Sequence, residues 1–163
     1  MPEITSLSRE HGRAGFDCGV PELNAYLKST ARQHSDKGIS RTFVLTDQDS
    51  VAIMGFFSLT LCEVRVDKLP AGYAKKYPHH GLPAVRLARL AVSRKHQGKK
   101  YGELLLVEAI QRTLLIADQA GVIGLFVDAK NDSARSFYER YGFGALPQEP
   151  LHLFLPIESL RKI

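Results

Sequence analysis

The chain predicts an α/β fold with a mixed, mostly antiparallel central sheet flanked by helices, and three observations predict it. Runs rich in β-branched and aromatic residues at 41–45 and 53–66 sit on either side of a turn, the pattern of an antiparallel hairpin. Segments of helical apolar spacing at 104–116 and 134–141 then alternate with short apolar runs at 85–92, 123–129 and 151–155. Each helical segment is closed by glycine, Gly121 and Gly142. A helix and antiparallel strands followed by β–α–β–α–β make a mixed sheet.

Taken in order, residues 21–34 read as the first helix. Pro21 suits its first turn, and Leu23, Tyr26, Leu27 and Ala31 recur at helical spacing. Asp47, Gln48, Asp49 and Ser50 supply the hairpin turn. Residues 68–83 hold Pro70, Gly72, Pro78, Gly81 and Pro83, which leave room for one helical turn around Tyr73. In the long helix Leu104, Val107, Ile110 and Leu114 line one face, widened by Leu105, Leu106 and Leu115. Asn131, Asp132 and Ser133 cap the helix that follows, and two last strands flank a turn at 147–150.

At 163 residues the chain reads as one domain, 1–163, large enough to bury a real core. Its 44% hydrophobic and 24% charged residues are those of a soluble globular protein. No apolar run approaches the roughly 20 residues of a membrane span, and Met1-Pro2-Glu3-Ile4 is not a signal peptide, so a cytoplasmic location away from membranes is expected. Cys18 and Cys62 lack the spacing of a zinc site and read as reduced thiols. The histidines form no ligand pattern, so no metal is expected.

The net charge of +5 is unevenly spread. Residues 68–102 contain no Asp or Glu but nine Lys/Arg, a block that favours an anionic ligand. Within it, residues 93–100 form a basic, glycine-containing loop between a strand and a helix N-terminus. The free N–H groups of a first helical turn and the positive end of its dipole bind anions.

Three motifs give these elements a family. Gln97-Gly98-Lys99-Lys100-Tyr101-Gly102 is similar to the pyrophosphate loop of GNAT-superfamily acyl-CoA N-acyltransferases, and Asn131 to Phe143 resembles that family's N-x-x-A-x-x-F-Y-x-x-x-G-F segment. Phe16-Asp17-Cys18-Gly19, with Leu23-Asn24 and Tyr26-Leu27, resembles the N-terminus of GNAT toxins from bacterial toxin–antitoxin pairs, and the segment at 82–92 resembles their central strand. The resemblance covers nearly the whole chain and implies the GNAT fold. It also implies acetyl-CoA as co-substrate, held by Leu90, Ala91 and Val92, by Gln97, Gly98, Lys99, Lys100, Tyr101 and Gly102, and by Asn131 and Phe137. The activity implied is acetylation of the α-amino group of aminoacyl-tRNA, which blocks translation. The partners implied are a ribbon-helix-helix-type antitoxin and a second copy in a homodimer. One departure stands out: Lys100 occupies the place of the loop's first glycine.

The chemistry is consistent with that implication. The resemblance assigns Tyr138 the role of proton donor to the departing thiolate. A phenol with a pKa of about 10 facing a thiol at about 8.5 makes the transfer uphill by only roughly 2 kcal/mol. Residues 85–92 contain no carboxylate to act as base. That suits an α-amine, of pKa about 7.7–8.0, better than lysine at about 10.4; Glu63 remains a candidate base acting through water. Acetyl-CoA needs only the cations at 94–100, which leaves Lys75, Lys76, Arg86 and Arg89 for an RNA backbone. Two alternatives share the fold: acetylation of a small amine or protein N-terminus, and a non-catalytic acetyl-CoA-binding module.

Overall fold

Strand β1 (Pro2–Ser6) pairs antiparallel with β2 (Arg41–Asp47), setting Ile4 opposite Leu45. The structure, a computed structural model, describes residues 1–162; Ile163, at the end of the single-domain reading, lies outside the described residues. β1 was not expected from the sequence. Ile4 is the one large aliphatic residue in its five, so there is no alternation to read.

The first helix is longer than expected and is interrupted. α1 (Pro21–Ala25) passes through a π segment (Tyr26–Thr30) into α2 (Ala31–Asp36), and the Ala31 N–H reaches the Tyr26 carbonyl five residues back. Such insertions rotate the residues that follow, and they concentrate at functional sites. Here the insertion leaves Tyr26, Leu27 and Ala31 all buried.

The expected hairpin is present. β2 pairs with β3 (Gly55–Arg65), with Phe43 opposite Phe57 and their rings 5.1 Å apart. Asp49 turns the chain with a φ of 64°, a left-handed conformation that aspartate tolerates better than most residues. α3 (Ala71–Ala74) is the single turn expected around Tyr73. β4 (Gly81–Val92) begins earlier than the apolar run suggested, taking in Gly81 and Pro83. α4 (Tyr101–Gln119), β5 (Gly124–Asp128), α5 (Asp132–Glu139), β6 (Gly144–Leu146), β7 (Glu149–Pro156) and a short α6 (Ile157–Leu160) complete the chain.

The seven strands run in the order β1-β2-β3-β4-β5-β7-β6. β4 and β5 are parallel, whereas β1–β2, β2–β3, β5–β7 and β6–β7 are antiparallel. The mixed, mostly antiparallel sheet flanked by helices is as expected.

The chain divides into two compact units, Met1–Thr60 with Ala88–Ala109, and Leu61–Leu87 with the chain from Ile110 onward. In the first, Phe16, Tyr26, Leu27, Val44, Phe56 and Ala91 make an apolar cluster. In the second, Val66, Leu82, Ala84, Phe126, Leu146 and Phe154 make another.

One face was misassigned. Leu104 and Leu115 are 45% and 64% exposed, while Leu105, Leu106, Ala109, Ile110 and Thr113 are buried. α4 carries leucine or isoleucine on nearly every side at 104–106 and 114–116, so periodicity alone does not choose between adjacent rows.

Candidate active site and cofactor loop

In the first unit, the loop at 93–100 joins β4 to α4 through a tight 3-10 turn (Arg94–His96). Gly98 and Lys100 have φ values of 82° and 65°, both left-handed. Lys100 therefore keeps the backbone path that glycine ordinarily supplies, with its side chain exposed. A non-glycine residue costs of order 1 kcal/mol or more in this conformation, a strain found chiefly where the surroundings over-determine it. The loop keeps a left-handed path at both positions, and the lysine adds a cation at its rim.

Residues far earlier in the chain brace this loop. Arg94 donates its backbone N–H to the Asp17 carbonyl at 2.8 Å, and its guanidinium lies 3.7 Å from the Asp17 carboxylate. Gln97 donates its side-chain amide to the carbonyls of Cys18 at 3.2 Å and Val92 at 3.0 Å. Asp17 in turn accepts from the Gly19 N–H and the Asn24 amide, while the Asn24 carbonyl accepts from the Cys18 N–H. The Gly19 and Asn24 hydrogen bonds, with Arg94 adding to them, hold the Asp17 carboxyl below the usual range. The Phe16–Gly19 motif is thus the fixed point to which the loop is tied.

Gln97 is expected among the cofactor contacts, and its side-chain amide is used inside this brace. Gly98, Lys99 and Lys100 are exposed in the loop, and Tyr101 and Gly102 open α4. Upstream in β4, Ala91 is buried while Leu90 and Val92 are half-buried. Gly55 lets this stretch pack closely, since a Cβ there would meet Leu105 at 2.9 Å and the Ala91 carbonyl at 3.0 Å. Left-handed backbone, a helix N-terminus and mobile cations together fit a diphosphate.

Gln97→Ala is expected to weaken acetyl-CoA binding about five- to thirtyfold, since two hydrogen bonds of roughly 0.5–1 kcal/mol each are lost. Isothermal titration tests this, and an unchanged Kd would show that the loop holds its shape unaided.

In the second unit, Asn131 caps α5, its side-chain oxygen accepting from the Ala134 N–H at 2.9 Å. That oxygen is committed to the helix, which leaves the Asn131 amide nitrogen as the group open to a ligand. Phe137 is half-buried, edge-on to Tyr138 at 5.1 Å and Tyr141 at 5.4 Å. Tyr138 is 7% exposed and also meets Phe143 edge-on. Burial pushes its phenol well above the ordinary tyrosine value, so it is protonated at neutral pH.

The surplus cations are dispersed. Lys75 is exposed and has no ion-pair partner among the described residues. Lys76 pairs with Glu158 at 3.1 Å, an attachment that raises its pKa. Arg86 lies 3.6 Å from Asp128, and its Nε is buried without a hydrogen-bond partner. Arg89, in the first unit, stacks 3.6 Å above the Tyr26 ring, whose hydroxyl bonds Ser40 at 2.9 Å. Both cysteines are free, and burial pushes the Cys62 thiol up.

Residues 38–144 match the family model of the acetyltransferase (GNAT) domain. The chain belongs to the GNAT acetyltransferases.

Two curated relatives are named as toxins. The chain is 31% identical over 161 residues to a probable toxin TacT of Sinorhizobium fredii, covering 94% of this chain and 89% of that one. It is 36% identical over 148 residues to a tRNA-acetylating toxin of Mycobacterium tuberculosis, covering 91% and 87%. Among solved structures, a tyrosine-to-phenylalanine mutant of KacT superposes with a TM-score of 0.93 at 31% identity, covering 99% of this chain and 98% of that one. AtaT complexed with acetyl-methionyl-tRNAfMet gives 0.90 at 30%, with coverage of 99% and 98%. A tyrosine-to-phenylalanine mutant of AtaT, bound to the C-terminus of the antitoxin AtaR and to acetyl-CoA, gives 0.82 at 28%, with coverage of 99% and 97%.

Within this GNAT chain, two features escaped the sequence reading. The brace from Asp17 and Cys18 was legible only as a turn and helix cap. The charged group Arg86, Asp128, Glu149 and His152 gave no local signal, because three strands bring it together.

Proposed function

We propose that this protein is a tRNA-acetylating toxin, moving the acetyl group of acetyl-CoA to the α-amino group of an aminoacyl-tRNA and thereby blocking translation. The observation that carries this reading is the braced, left-handed loop at 93–100, tied to the Phe16–Gly19 motif in a chain 36% identical to a tRNA-acetylating toxin. A ribbon-helix-helix antitoxin and a homodimer complete the proposal. The AtaR-bound relative supports an antitoxin partner.

Acetyl-CoA supplies the activated acetyl group, and the chain supplies position and protons. Backbone N–H groups at 98–102 hold the diphosphate, with Lys95, Lys99 and Lys100 around it, and Leu90–Val92 line the pantetheine. Tyr138 holds a proton at its hydroxyl for the departing sulfur. Its raised pKa does not disqualify it, because burial disfavours a bare thiolate as well. Solved structures of tyrosine-to-phenylalanine mutants of two relatives, KacT and AtaT, support a working tyrosine in this group. Lys75 is the cation freest to meet an RNA backbone, since Lys76, Arg86 and Arg89 already have partners.

Purified protein is expected to transfer radiolabelled acetyl from acetyl-CoA to charged tRNA and to leave deacylated tRNA unlabelled. Equal labelling of free amino acids or polyamines would replace the RNA substrate with a small amine.

A further inference from the structure

Transfer to an ammonium group needs a proton acceptor, and neither β4 nor Tyr138 provides one. Residues 85–92 carry no carboxylate, and Tyr138 is a proton donor whose phenol is held protonated. The second unit contains a different group suited to the task.

His152 on β7 stands directly opposite Asp128, the last residue of β5. Its Nδ1 lies 3.3 Å from Asp128 Oδ1 and 3.2 Å from Glu149 Oε2. The other Asp128 oxygen faces Arg86 Nη1 at 3.6 Å. In the neutral ring, two carboxylates beside one nitrogen favour the tautomer that carries its proton on Nδ1, which leaves the lone pair on Nε2. Nε2 has no partner among the described residues. The ring is 44% exposed and borders a cavity of about 230 Å³, which Glu63, Arg86, Phe126, Asp128 and Glu149 also line.

This cavity suits the aminoacyl end of an RNA. Its carboxylates attract an ammonium, Phe126 offers an apolar surface to a side chain, and Arg65 and Lys68 on its wall attract an anionic backbone. Asp128 stands three residues before Asn131, the cap of the helix that carries Tyr138. We propose that His152 is a catalytic proton acceptor for the α-ammonium of the acceptor substrate, with Asp128 and Glu149 as positioning residues. This rests on the acetyltransferase reading above.

The ammonium gives one proton to His152 Nε2, which passes it to solvent. The freed nitrogen lone pair forms the C–N bond as the C–S bond breaks. The nitrogen loses a second proton, and the sulfur gains one through Tyr138, so an amide, a thiol and one solvent proton result. The charges facing His152 are Asp128 from β5, Glu149 from its own strand, Arg86 from β4, Glu63 and Arg65 from β3, and Lys68 beyond it.

The test is turnover of charged tRNA by His152→Ala and His152→Gln between about pH 6 and pH 8.5, with and without added imidazole. Melting temperature and acetyl-CoA affinity are measured beside it. Expected for both variants is a fall of about ten- to a hundredfold at pH 7 that narrows as pH rises and is partly restored by imidazole. Asp128→Asn is expected to lower kcat more than it raises KM. Turnover within twofold of the parent overturns the proposal, as does a loss of equal size at every pH that imidazole leaves unchanged. If His152→Ala does not fold, His152→Gln decides by the same criteria. A parent that leaves charged tRNA untouched but acetylates a free amine overturns the RNA reading instead, and the variants are then scored on that amine.

Discussion

Replacing Tyr138 by phenylalanine is expected to lower acetyl transfer by about two to four orders of magnitude while acetyl-CoA binding and melting temperature stay essentially unchanged. The separation follows from how the residue sits. Its ring is 7% exposed, wedged between Phe137 and Phe143, and phenylalanine fills the same volume. The hydroxyl has no hydrogen-bond partner among the described residues, so its removal leaves no buried group unsatisfied. On the proposed role, what is lost is the proton. Single-turnover transfer measured beside calorimetric acetyl-CoA binding checks this, and undiminished transfer would take Tyr138 out of the mechanism.

The largest stability effect is expected at Gly124, which opens β5. A Cβ at this position would collide with the Leu155 carbonyl on the paired strand β7, and would lie 2.6 Å from the Phe154 ring and 3.0 Å from the Pro156 Cα. Two of these obstacles are backbone, which cannot rotate away. Gly124→Ala is therefore expected to cost about 3 kcal/mol or more, lowering the melting temperature by roughly 6–12 °C. The damage should extend to the β5–β7 register, which sets Asp128 opposite His152. Thermal denaturation followed by circular dichroism measures it. A shift of only a degree or two would mean that β7 moves aside more readily than a paired strand should.

What was legible in the sequence is local. The loop at 97–102 and the capped helix at 131–142 each announce themselves within a dozen residues, through glycine, a capping side chain and a fixed aromatic spacing. The hairpin at 41–65 did so through its turn. The misreadings have physical causes. Leu104 and Leu115 looked like core because α4 is apolar on several sides, and only the packed neighbours select the row that is buried. The π segment at Tyr26 breaks a periodicity that otherwise reads as one helix. The Lys100 departure is reconciled by its φ of 65°, since a left-handed lysine keeps the path a glycine would take. His152 gives no sequence signal because Asp128 comes from β5 and Arg86 lies more than sixty residues away, while Glu149, three residues before it on β7, marks nothing alone.

The span of sequence by which a family is recognised need not be the span that works. The family match runs over 38–144, yet Asp17 and Cys18, which tie down the cofactor loop, precede it, and His152 follows it. A chain cut to the recognised segment would keep Gln97 to Gly102 and Tyr138 in full. It would lose the anchor that gives the loop its shape, the outer strand β1, and the whole of β7. Residues outside the match are therefore the ones in which to look for drift between members of this group. A change at Asp17 or Asn24 should be accompanied by one at Arg94 or Gln97, because the two ends of the brace have no use for one another's absence.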